Sequence, residues 1–157
     1  METIQVDFDP EKIDYRNLLE VFFSSHNAAR FSLRRQYASA IFYHDEEQKQ
    51  LAVAAIRKAE RDLEKKVTTE LLSYSGFTRA EDYHQKYFLR NQADLEKHYE
   101  CIYPDPDRFT DSTATARVNG YLGGYGNREQ FEREAPGLGM TDAGLRALKA
   151  LIWKWRK

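Results

Sequence analysis

The amino-acid sequence predicts an α/β fold, a sheet backed by helices. Three observations point there. Segments of strand character at 3–8, 36–43 and 67–72 alternate with helical patterns at about 15–25, 46–65 and 79–91. Each helical pattern opens on a capping signal: Asp14, then Asp45 with Gln48, then Thr78 with Glu81. The resulting order, β-α-β-α-β-α, is that of a sheet covered by its own connections.

The elements follow in order. Ile4, Val6 and Phe8 alternate with Gln5 and Asp7, the pattern of a half-buried strand, and Asp9-Pro10 ends it. A strand that begins almost at Met1 is compatible with a larger domain cut at its N-terminal end, and equally with an edge strand. Tyr15, Leu18, Leu19 and Phe22 form the apolar stripe of the first helix. A polar loop with Arg30, Arg34 and Arg35 follows. Residues 36–43 (QYASAIFY) are small or apolar on both faces, which suggests a central strand. A long helix over 46–65, a strand over 67–72 (VTTELL) and a helix over 79–91 complete the alternation.

The character changes after residue 103. Tyr103-Pro104-Asp105-Pro106-Asp107 has the composition of a linker or tight turn. Short helices are expected at about 110–119 and 128–135, with a glycine-rich turn at 120–126 between them. A last helix, capped by Thr141, carries Leu145, Leu148, Ile152 and Trp155 on one face. The expected organisation is therefore an α/β domain over 1–103, with a helical C-terminal extension over 104–157 packed on it.

Composition narrows the function. The 157 residues carry 24 basic and 25 acidic side chains and a formal net charge of −1. No global field draws the chain to nucleic acid or to an anionic membrane. The single cysteine, Cys101, excludes an internal disulfide, which fits a reducing compartment. The first residues lack a basic stretch followed by an apolar run, and no apolar run approaches the length of a membrane span. A soluble, cytoplasmic protein is the expectation.

Generic catalytic motifs are absent from the sequence. There is no Walker loop and no Gly-x-Gly-x-x-Gly after a strand. Gly123-Gly124-Tyr125-Gly126 follows a helical segment, so a turn is favoured over a phosphate cradle. His26, His44, His84 and His98 do not pair with each other or with Cys101 at ligand spacing, so no metal site is expected. Cys101 has Lys97 and His98 nearby in sequence, yet an idle thiol is favoured over a nucleophile.

Three segments carry more information together. They are Glu2-Thr3-Ile4-Gln5-Val6-Asp7-Phe8-Asp9-Pro10; Gln36-Tyr37-Ala38-Ser39 through His44 to Glu46-Glu47-Gln48; and Ala80-Glu81-Asp82-Tyr83-His84-Gln85-Lys86-Tyr87. Leu18-Leu19-Glu20-Val21-Phe22-Phe23 and Ser25-His26-Asn27 lie between the first two. In order and spacing these segments resemble the class A peptide methionine sulfoxide reductases over about residues 2–91. The resemblance implies a two-layer sheet-and-helix domain and thiol-dependent reduction of methionine-(S)-sulfoxide in peptides and proteins. It also implies roles in protein repair and the response to oxidative stress. No bound cofactor is expected, and the reductant would be an external thioredoxin-like thiol.

That chemistry has a clear physical demand. A sulfoxide sulfur becomes electrophilic when its oxygen is polarised or protonated, so the site needs a thiolate facing sulfur and a proton donor facing oxygen. By resemblance Glu2 is the carboxylate proton donor, Tyr37 a catalytic hydroxyl facing the sulfoxide oxygen, and His84 a substrate-binding residue lining the site. Each has a plainer alternative: a solvated terminal carboxylate, a core aromatic, and a histidine bonded within its own loop. The family's Gly-Cys-Phe-Trp nucleophile segment has no counterpart in this sequence, and Met1 stands where a histidine precedes the family glutamate. The family's Gly-Asn-Asp-x-Gly-Thr loop is shortened to Phe31-Ser32-Leu33-Arg34-Arg35, without its aspartate. Gly120-Tyr121-Leu122-Gly123 faintly resembles the resolving segment, with Leu122 in place of the thiol. Two explanations follow: part of a longer enzyme whose preceding segment supplies the cysteine, or a non-catalytic descendant that binds peptides or a partner.

Overall fold

Local signals build most of the helices where they are expected. The computed structural model describes residues 1–153, and the backbone alone of Trp153. Helix α1 spans Tyr15–Ser25, and the Asp14 carboxylate accepts the Asn17 amide at 2.8 Å. Strand β1 is Ala40–Tyr43. Helix α2 runs from Glu46 to Leu63. At its start the Asp45 carboxylate accepts from the Gln48 amide, and the Gln48 side chain accepts the His44 amide. The first bond satisfies a donor that a helix start leaves without an intrahelical partner, and the second ties down the residue before the cap. Strand β2 is Glu70–Ser73, parallel to β1 in the register Ala40↔Glu70 to Tyr43↔Ser73.

The α/β class is therefore what the chain adopts, with a two-stranded parallel sheet. The chain forms two compact units, residues 1–78 and 79–157. In the first, Leu19 of α1, Ile41 of β1 and Ala52 of α2 are buried together. Tyr15, Phe22, Leu51 and Leu71 pack around them, so helix covers sheet in a second layer.

Two sequence expectations about strands are corrected. Residues 3–8 form no strand. Among the described residues its backbone has no ladder partner; the preceding Glu2 amide donates to the Gln36 carbonyl at 3.0 Å, and Ile4 is 85% exposed. An alternating pattern licenses a strand, but only a ladder partner makes one. The 36–43 segment enters as a short 3-10 turn, Arg35–Tyr37, before β1 begins at Ala40. With two strands among the described residues, β1 is an edge and not a central strand.

The second unit is helical. The expected helix over 79–91 is replaced by a 3-10 turn at Asp82–His84 and a single turn of helix, α3, at Tyr87–Arg90. Lys86 sits between them with φ +52°, a left-handed conformation that breaks any continuous helix. The Arg79 guanidinium, held by Asp107 at 3.0 Å and Asp111 at 3.7 Å, engages these distant carboxylates instead of supporting a first helical turn. Helix α4, Ala93–Ile102, is an element the sequence reading missed.

The remaining helices are α5 (Pro106–Asp111), α6 (Thr113–Leu122), α7 (Arg128–Glu134) and α8 (Asp142–Trp153). The expected linker at 103–107 thus opens a helix: Asp105 caps it and Pro106 occupies the first turn, where a missing N–H costs nothing. The core of this unit joins Leu89, Leu95, Tyr99, Phe109, Val118, Phe131, Leu138, Leu148 and Ile152. Leu145 packs at its border, while Trp155 lies outside the described residues. The division expected after residue 103 falls inside this core, which draws on both sides of it.

Helix α2 ends on Glu64 in the left-handed region, φ +52°, a conformation that favours glycine. Exposed Glu64→Gly should therefore raise stability by about 0.5–1 kcal/mol. Leu148→Ala, in a position with no solvent exposure, should lower it by about 2–5 kcal/mol. Urea denaturation followed by circular dichroism checks both signs.

Candidate functional site

In the first unit, Glu2 is clamped to Gln36 from both ends. Its amide donates to the Gln36 carbonyl, and the Gln36 side-chain amide donates to its carboxylate oxygen Oε1. Gln36 directly precedes Tyr37, so the clamp brings the N-terminal carboxylate to the turn that carries the tyrosine. The second carboxylate oxygen has no protein partner among the described residues. Tyr37 stands on the 3-10 turn with 55% of its surface exposed, so the alternative of a core aromatic does not hold.

Below this turn runs a chain of side-chain hydrogen bonds that sequence reading gave no role. His26, just past α1, bonds the Phe22 carbonyl through Nδ1 at 2.8 Å. Its Nε2 is 3.0 Å from the Ser39 hydroxyl, which is 2.9 Å from the Thr69 hydroxyl. A carbonyl can only accept, so Nδ1 carries the proton. In the neutral ring Nε2 then accepts from Ser39. The chain ties the end of α1 to the entrances of both strands. Gln36, His26 and Ser39 all fall within the segments of family resemblance, but no spacing rule joins residues 26, 39 and 69; only the parallel register does. An open depression of about 300 Å³ lies at the same end of the ladder, lined among others by Phe31, Leu33, Ala38 and Ser39.

His84 belongs to the second unit. It ends the 3-10 turn at Asp82–His84. Its ring packs on Tyr83 at 4.1 Å between centroids, and Nε2 is 3.9 Å from a Glu81 carboxylate oxygen. The structure brings Glu2 and Tyr37 to one turn, whereas His84 is held by its own loop. Nearby, burial lowers the Lys86 ammonium below its ordinary value; Arg79 pushes in the same direction and Asp111 opposes it.

Cys101 is exposed in the last turn of α4. Nucleophilic cysteines are found instead at helix N-termini or beside cationic partners. Neighbouring His98 is occupied with the Gly139 carbonyl at 3.2 Å. Leu122 ends α6, and the Phe88 ring lies against Gly123, where a Cβ would come within 2.9 Å of it. No group of three or more His, Cys, Asp or Glu side chains among the described residues could hold a metal.

The sequence model of the family described as "Peptide methionine sulfoxide reductase" matches residues 1–132. The chain belongs to the peptide methionine sulfoxide reductase family. The peptide methionine sulfoxide reductase of Drosophila melanogaster is 40% identical over 142 residues, 89% of this chain and 56% of that protein. The enzyme named MsrA of Sulfolobus acidocaldarius is 44% identical over 96 residues, 58% of this chain and 54% of its own length. A third relative, peptide methionine sulfoxide reductase A2 of Arabidopsis thaliana, is 36% identical over 94 residues, covering 57% of this chain and 43% of that protein. The MsrA names identify class A. The chain spans about half the length of the curated relatives it matches. The similarity to the fly reductase extends well beyond the stretch shared with the archaeal one, into the helical second unit. As for a membrane, no helix among the described residues is long and apolar enough to cross one.

Ser39→Ala removes the central link of the His26–Ser39–Thr69 chain. The expected loss is about 1 kcal/mol of stability in the first unit, since a typical net hydrogen bond is lost and Thr69 needs a new partner. Denaturant unfolding of the variant, with an unchanged slope, checks this.

Proposed function

We propose that this chain contributes the carboxylate and tyrosine of a class A reductase site, for thiol-dependent reduction of methionine-(S)-sulfoxide in peptides and proteins. The observation that carries the reading is the Glu2–Gln36 clamp, which holds the carboxylate to the turn bearing Tyr37. The family relationship supports the chemistry. Glu2 donates a proton to the sulfoxide oxygen, and the Tyr37 hydroxyl hydrogen-bonds the same oxygen. A thiolate attacks the sulfur as the S–O bond breaks. Overall, one sulfoxide and two thiols give one thioether, one disulfide and one water. His84 enters as a substrate-binding residue by resemblance alone. No cofactor is bound in this scheme; electrons come from an external thioredoxin-like dithiol, and the cytoplasm is the compartment that supplies it.

The thiolate does not come from a Gly-Cys-Phe-Trp segment within these 157 residues, and Cys101 is a poor substitute. A second reading, a non-catalytic domain that binds peptides or a partner, is favoured by the Phe31–Arg35 loop and by Leu122 in the position of a resolving thiol.

The expected outcome with dithiothreitol and a sulfoxide peptide is no turnover by the chain alone, with Cys101→Ser changing nothing. A synthetic peptide carrying Gly-Cys-Phe-Trp, added in trans, should restore turnover. Glu2→Gln should then reduce the rate by about a hundredfold, the scale of a lost general acid. Bound peptide without turnover in either arm would favour the binding-domain reading.

A further inference from the structure

The connection between α1 and β1 concentrates one sign of charge in a chain that is otherwise balanced. From His26 to Ser39 there are three arginines, Arg30, Arg34 and Arg35, and no carboxylate. Two large apolar residues stand among them in the open: Phe31 is 70% exposed and Leu33 94%. The loop is tied to the approach to β2, because the Thr68 amide donates to the Ala28 carbonyl at 2.8 Å and its hydroxyl to the Arg30 carbonyl at 3.0 Å.

Only one of the three guanidiniums is engaged. Arg35 reaches Glu70 at 3.5 Å. Arg30 and Arg34 have no carboxylate within ion-pair distance among the described residues. Ser32 braces the loop, its hydroxyl donating to the Arg34 carbonyl at 2.9 Å. Beside it lies the depression of about 300 Å³, bounded by Phe31, Leu33, Ala38 and the paired Arg35 and Glu70.

Exposed apolar side chains interleaved with unpaired guanidiniums define a ligand that offers both apolar and anionic groups in alternation. An extended acidic peptide does so. Nucleic acid is served by a broad basic face with several stacking aromatics, and here the basic excess is confined to one loop. We propose that the 30–35 loop and its depression form a docking site for an extended acidic peptide. An apolar side chain of the peptide enters the depression, and its carboxylates pair with Arg30 and Arg34. The proposal goes beyond the reductase reading and needs no sulfoxide chemistry.

Fluorescence polarisation on the full chain tests it, with a short fluorescein-labelled peptide of Asp, Glu, Leu and unoxidised Met, and a matched peptide with Lys in place of each acid. Without sulfoxide or reductant, binding is read whether or not the chain catalyses reduction. The acidic peptide should bind and the basic one should not. Exposed Arg30→Glu/Arg34→Glu, checked for fold by circular dichroism, should weaken the acidic peptide by at least about tenfold and admit the basic one. Leu33→Ser should weaken the acidic peptide without admitting the basic one. Equal binding of both peptides, no binding of the acidic peptide, or no effect of the charge reversal would overturn the proposal. Poly-uridine displacing the peptide at a lower concentration of negative charge would assign the loop to nucleic acid and overturn it as well.

Discussion

Parallel strands cannot be joined by a tight turn, and that constraint organises the first 78 residues. The β1–β2 ladder requires a crossover, and α2 supplies it with 18 residues of helix. Once α2 lies on the sheet, Ala52 and Ile41 are buried and α1 covers what remains. The bonds that bracket the ladder, Glu70 to Ser39 and Tyr74 to Tyr43, both 2.9 Å, also determine which loops meet at its start. The Glu2 clamp, the His26–Ser39–Thr69 chain and the arginine loop all belong to that end.

The second unit rests on a different principle. Its helices are short, between four and twelve residues, and helices of that length are marginal on their own. They persist by sharing one apolar interior. Tyr99 illustrates the cost and its remedy: the ring is fully buried, and its hydroxyl donates to the Leu138 carbonyl at 2.7 Å. Burial, with Tyr103 beside it, pushes that hydroxyl's pKa well above the tyrosine range. Tyr121 follows the same logic, bonded at 2.6 Å to Glu134, which Arg117 also approaches.

The candidate site was partly legible. Glu2, Tyr37 and His84 were found through resemblance because their motifs lie in continuous sequence. What tethers Glu2 was not legible, since Gln36 is 34 positions away and nothing local marks the pair. Tyr37's exposure was missed for a related reason. The small and apolar run at 36–43 has the composition of a buried strand, but its first residues form a turn outside the ladder.

By itself the sequence determined the caps of α1 and α2, the α/β class and the family. These depend on contacts three or four residues apart, or on motifs read in order. Tertiary structure decided the rest. Residues 3–8 have a strand pattern and no strand, because a ladder partner is not a property of the segment. The Thr78 and Glu81 capping signal starts no helix, because Arg79 is held by Asp107 and Asp111 and Lys86 turns left-handed. Tyr103 to Asp107 has a linker's composition, yet Asp105 and Pro106 open a helix there whose Phe109 is buried. Local chemistry proposes each element, and burial against distant residues selects which proposals survive.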